Sequence, residues 1–132
     1  MPISTTWYDE EHRVIGIKFD ANWNWGELNK ELEEEAKLAA TVSYNLVAFV
    51  DMSQTKAFPQ GNILAQGRST IGNIPDNVTQ IVVVIQSRLI EVFAGLVVDM
   101  MPIWRNRVKF AKTVEEGLKL VAEAVAKNTV GT

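Results

Sequence analysis

Apolar and polar positions along the chain switch between two periods, and the switches mark the elements. Residues 3–8 and 14–19 are rich in β-branched and aromatic side chains and flank the polar stretch Asp9-Glu10-Glu11-His12-Arg13. In the second segment Ile15, Ile17 and Phe19 recur every second residue against Gly16 and Lys18, which predicts an antiparallel hairpin with one buried face. After the connector Asp20-Ala21-Asn22-Trp23, Asn24 reads as a helix N-cap and Glu27 as its reciprocal partner in a capping box. Trp25, Leu28, Leu32, Ala36 and Ala39 then follow at helical spacing, predicting a first helix over 25–40 with Glu31, Glu33, Glu34 and Lys37 outside. The run Glu33-Glu34-Glu35 reads as a solvated face, because neighbouring carboxylates on a helix point in different directions.

Two uninterrupted apolar runs, residues 46–50 and 81–85, are too short for helices and fit strands covered on both faces at the centre of a parallel sheet. Between them, residues 61–74 predict a short helix turning Ile63, Leu64 and Ile71 to the core, weakened by Gly61, Gly67 and Gly72. Ser87 caps a third helix over 88–101, which Pro102 ends. Arg88, Glu91 and Asp99 leave that helix only a narrow polar stripe, and its apolar arc exceeds the little over ~100° that one sheet contact uses. In residues 105–111, Arg105, Arg107 and Lys109 alternate with Val108 and Phe110, as in an edge strand defended by charge. Thr113 and Glu116 open a last helix with a stripe of Val114, Leu118, Val121 and Val125 to about Lys127, and residues 128–132 read as a frayed tail. The order is β-β-α-β-α-β-α-β-α. The expectation is one α/β domain over residues 1–132, a mostly parallel five-stranded sheet with an N-terminal antiparallel hairpin and four helices.

At this point composition narrows the function. A net charge of -3 offers no basic face for nucleic acid, and Arg105, Arg107, Lys109 and Lys112 read as protection of a sheet edge. The absence of cysteine removes disulfides, thiolate nucleophiles and cysteine metal clusters. The first ten residues have neither a basic nor an apolar signal region, and no apolar run reaches the ~20 residues of a membrane span, so a cytoplasmic protein is expected. His12 sits in the hairpin turn, the glycines match no phosphate-binding motif, and Asp51 at a strand end reads as a turn partner for the next amides. Neither a cofactor nor a metal is called for, and the expectation is a non-enzymatic protein.

The pieces NWNWGELNKELEEEAKLA, LVAFVDMS, TQIVVVIQSRLIEVFAGLV and RVKFAKTVEEGLKLV resemble the SpoIIAA-like branch of the STAS fold, that of anti-sigma-factor antagonists and of sulfate-transporter tails. The fold is also similar to that of CRAL-TRIO lipid-exchange domains. The resemblance implies a regulatory module acting through another protein. Classical antagonists place a phosphorylated serine after an Asp-Leu-Ser turn; here Asp51-Met52-Ser53 keeps the turn, but the acceptor position is most nearly Gln60, so no phosphoryl switch is expected around residues 58–61.

Two candidate sites follow from the pattern. One is the pair of strand-end loops, with Asp51, Ser53 and Thr55 on one and Gln86, Ser87 and Arg88 on the other. The other is the surplus apolar arc of the third helix, with Phe93, Leu96, Val97, Met100, Met101 and Trp104. The second helix or the core, a second copy of the chain, or an apolar small molecule could cover that arc. The leading expectation is a binding module for another protein or for itself. The alternative is a carrier or sensor holding an apolar or amphipathic, lipid-like molecule between the second and third helices.

Overall fold

The computed structural model describes residues 2–130. The chain forms β1 (Ile3–Trp7), β2 (Val14–Phe19), α1 (Trp25–Ala39), β3 (Leu46–Asp51), α2 (Ile63–Gly72), β4 (Val78–Val84), α3 (Arg88–Asp99), a single 3-10 turn (Pro102–Trp104), β5 (Val108–Ala111) and α4 (Val114–Val130). The strands lie in chain order; β1 and β2 are antiparallel and every later pair is parallel. The two apolar runs form β3, at the centre of the sheet, and β4 beside it, with β5 outside as an edge. The expected fold class is the one observed.

Strand order decides where the helices go. Each crossover from β2 to β5 steps the same way along the sheet, and right-handed crossovers then put α1, α2 and α3 on one face. Ile15, Ile17, Ala48, Ile81 and Val83 face those three helices. Val47, Phe49, Val82 and Val84 point the other way, where α4 covers them with Val121 and Ala124. The two-sided apolar runs thus record two different helical layers.

Local signals act as their chemistry requires. Asn24 accepts the Glu27 N–H at 2.8 Å while the Glu27 carboxylate accepts the Asn24 N–H at 3.0 Å, completing the capping box. Ser87 accepts the Ile90 N–H at 3.4 Å and starts α3. Thr113 accepts the Glu116 N–H at 3.1 Å, but the Glu116 carboxylate accepts from Lys112, one residue before the cap.

Four expectations are corrected. Glu31 and Glu35 are buried, the latter 2% exposed, instead of lying on a solvated face. The reason is tertiary: α1 packs on β1 and also meets α2, so its covered arc is wider than one sheet contact gives. Leu64 and Val114 point to solvent. Only residues 108–111 of the charged segment form the strand, because Trp104 turns inward through the 3-10 helix and residues 105–107 make the turn that follows. There Arg105 donates to the Asp99 carbonyl at 3.1 Å and Arg107 lies 5.7 Å from the Trp104 ring centre. Finally, α4 continues to Val130, tied down where Thr79 donates to the Asn128 side-chain carbonyl at 3.3 Å; of the tail expected to fray, Gly131 and Thr132 lie outside the described residues.

Candidate functional site

The layer between the sheet and its three helices is not closed. It contains a cavity of about 170 Å³ walled by apolar side chains. On α1, Trp25, Leu28, Leu32 and Glu35 line it, the spacing of one helical stripe, which at ~1.5 Å per residue runs about 15 Å. On α2, Ile63, Gly67, Thr70 and Ile71 line it in the same manner, and Ala94, Val97 and Val98 close it from α3. The floor is the sheet, from Ile17 and Phe19 through Ala48 and Val50 to Val83 and Phe110.

The cavity survives because of α2. No residue of that helix is buried, although its apolar side faces inward. Gly67 lets α2 and α3 cross closely: a Cβ there would stand 2.7 Å from a Val97 methyl. This helix holds onto its neighbour and leaves the sheet beneath it incompletely covered.

Aromatic rings close the end of the cavity where β2 and β3 finish. Phe19 and Trp23 meet edge to face at 4.9 Å, Trp23 and Trp25 at 5.1 Å, and Phe58 stacks on Trp25 at 6.0 Å. Phe58 arrives from the loop of residues 52–62, which is held by Met52 N–H donating to the Val84 carbonyl at 2.9 Å. Gly61 in that loop has φ of +132°, a backbone state that L side chains rarely adopt, and lies beside the Trp25 ring.

Two buried polar atoms on the cavity wall have no hydrogen-bond partner among the described residues: Trp25 Nε1 and Glu35 Oε1. Buried polar groups are usually paired, so each such atom calls for an explanation. Glu35 is the one titratable side chain among the lining residues described, and burial in these apolar surroundings lifts its carboxyl to about 7. One turn earlier, Glu31 is raised too, by desolvation and then by the charge of Glu34, with Lys30 acting the other way.

The strand-end residues are spoken for separately. Asp51 accepts the Ser53 N–H at 3.0 Å in a local turn, Ser87 caps α3, and Gln86 and Arg88 point to solvent. Thr55 is 1% exposed and its hydroxyl accepts the Trp23 indole N–H at 3.2 Å, so it braces the aromatic wall. Because β3 and β4 are adjacent and parallel the two loops are neighbours, but these six side chains form no shared constellation among the hydrogen bonds described.

The second candidate set, on α3 and the turn that follows it, divides between an inward and an outward side. Val97 lines the cavity, Trp104 is buried, Phe93 meets Phe58 edge to face at 6.1 Å and Met101 packs against the core. Leu96 and Met100 instead join Leu89 and Val92 on an outward stripe, and Ile103 extends it at 62% exposed. Trp23, Trp25, Phe58 and Glu35 were not among the site residues expected. The density of aromatics in WNW was a signal for the first two, while nothing local marked Glu35 off from Glu33 and Glu34.

His12 lies in the hairpin turn, stacked on Trp7 at 4.4 Å. No group of three or more His, Asp or Glu side chains among the described residues is placed to hold a metal ion, and no helix among them is long and apolar enough to cross a membrane. The chain matches no protein-family model, no curated protein and no solved structure.

Proposed function

We propose that this protein binds a small, mostly apolar molecule in the cavity under α1, α2 and α3. The observation that carries the reading is the cavity itself: apolar walls, a loosely seated helix over it, and unpaired polar atoms on its lining. Small-molecule sites are typically concave, apolar and furnished with a few polar groups. An engineered cavity of about 150 Å³ admits a benzene-sized ring, which sets the scale of an occupant as a single ring or a short chain rather than a two-chain lipid. Thr70, the one hydroxyl side chain among the lining residues described, donates to the Gln66 carbonyl at 2.9 Å, so those residues offer no free nucleophile beside the carboxyl, and binding suits the site better than catalysis.

The test is calorimetric titration with 1-octanol. Saturable one-to-one binding with a negative heat-capacity change is expected. Ala94→Phe, which puts a ring into the space, should weaken it at least tenfold while the unfolding temperature holds or rises. Absence of saturable binding by the wild type, or binding indifferent to the added ring, would refute the reading.

A second reading, a module that contacts another protein or its own copy, draws on the resemblance to STAS domains and on the exposed apolar stripe of α3. Contiguous exposed apolar surface of this kind marks interaction sites. Leu96, 48% exposed, stands in the middle of the stripe, whereas Val97 and Val98 are core residues and unsuited to the experiment. Leu96→Asp should leave stability within about 0.5 kcal/mol, as surface changes generally do. In sedimentation at high concentration it should turn a dimer into a monomer; a wild type that is monomeric throughout removes self-association.

A further inference from the structure

Resting on the cavity reading above, we propose that the occupant carries a cationic amine, whose ammonium group pairs with the Glu35 carboxylate inside the cavity. Two observations converge. Glu35 is 2% exposed and lines the cavity, and its Oε1 has no partner among the described residues, so the protein has placed a strong acceptor in an apolar space and left it open. No lysine, arginine or histidine lines the cavity among those residues, so a carboxylate or phosphate ligand would meet an acid and no compensating charge. Glu31, one helical turn earlier on α1 and 7% exposed, is not among the residues that line the cavity.

The surrounding charges do not supply the missing partner. On α1 itself, Lys37 is engaged with Glu34 at 3.1 Å on the surface and Lys30 is exposed. From α2, Arg68 points to solvent, and the lining residues of α3 and of the sheet are uncharged. A buried carboxylate without a counter-charge is costly, and an ammonium entering with the ligand offsets that cost through a charge-assisted hydrogen bond, against the loss of its own hydration. The aromatic rings at the other end favour the remainder of the same molecule, an apolar chain or ring, and their faces tolerate positive charge.

Protonation adds a signature. Burial lifts the Glu35 carboxyl to about 7, so near neutrality the cavity passes between an acid form and a carboxylate form. An ammonium binds the carboxylate form, so its affinity falls as the pH drops below about 7, by up to tenfold per pH unit. A neutral alcohol, accepting a hydrogen bond from the acid form, would show the opposite trend or none.

The experiment compares three probes of one chain length, octylamine, 1-octanol and octanoate, by calorimetry on the whole chain at pH 6 and pH 8. Octylamine is expected to bind at least tenfold more tightly than octanol at pH 8 and to weaken about tenfold at pH 6, while octanoate gives no saturable heat. Glu35→Gln should bring octylamine down to the level of octanol and flatten its pH profile, leaving octanol within about threefold; the exposed change Glu33→Gln should alter neither. Octanol binding as well as octylamine, octanoate binding best, or an amine preference that survives Glu35→Gln would each overturn the assignment to Glu35 while the cavity reading stands. Absence of saturable octanol binding would overturn the cavity reading and this assignment with it.

Discussion

Replacing Glu35 with methionine is expected to raise the unfolding free energy at pH 8 by about 3 kcal/mol and to change it little at pH 5. In the folded chain the carboxyl keeps its proton up to about pH 7, whereas in the unfolded chain it releases it near 4.5. Between those values the native state binds more protons than the unfolded state, so stability falls as pH rises across the window and is level above it. A span of ~2.5 pH units at ~1.36 kcal/mol each gives about 3 kcal/mol. Methionine has similar reach, no charge to desolvate and enough flexibility to settle in an irregular space. Glu31, raised in the same direction, adds a smaller slope of the same sign that persists in the variant. Urea unfolding at pH 5, 6, 7 and 8 measures the effect; a wild type of constant stability across that range would sink it.

Gly117→Ala is the second large effect, an expected loss of about 1–2 kcal/mol in spite of alanine's better helix propensity. A Cβ at Gly117 would stand 2.8 Å from a Val84 methyl and 2.9 Å from the Phe49 ring, because α4 lies directly on the strands here. Neither neighbour can yield, since both are buried in the middle of the sheet. Overpacking of this kind costs ~1–3 kcal/mol, against which Ala recovers up to ~1 kcal/mol relative to Gly. Gly67 offers the informative contrast. Its Cβ would approach Val97 even more closely, yet α2 has no buried residue and rests over a cavity, so the helix can slide. Gly67→Ala should therefore change stability by less than about 1 kcal/mol. Chemical denaturation of the two variants side by side is the check, and equal losses would mean that α2 is as firmly seated as α4.

The two halves of the molecule thus differ in kind. The α4 face is a closed core with a glycine pressed against the sheet. The opposite face is covered by three helices that fit less completely, and the incompleteness is where the candidate site lies. One acidic residue enters that space. If the amine assignment holds, the cost of burying Glu35 is the source of its selectivity, because the group that destabilises the empty protein is the group the ligand satisfies.

Much of the fold was legible in the chain because its signals are local. The two-residue alternation of Ile15, Ile17 and Phe19, the Asn24–Glu27 box, the Ser87 cap and the stop at Pro102 act within a few residues, and each element formed at its mark. The apolar runs at β3 and β4 also announced strands covered on both faces, and with them a parallel sheet between two helical layers. Only the tertiary structure decided which helices share a face, and the cavity, the burial of Glu35 and the outward turn of Leu96 all follow from that. Glu33, Glu34 and Glu35 are chemically alike in sequence; α1 meeting both β1 and α2 buries the third and leaves the first in water. Trp25 and Phe58 are far apart in the chain and come together because the loop after β3 closes over the start of α1. Periodicity reports that a helix has an apolar side, but how well two such sides fill the space between them depends on crossing distance, and here that was set by Gly67 against Val97.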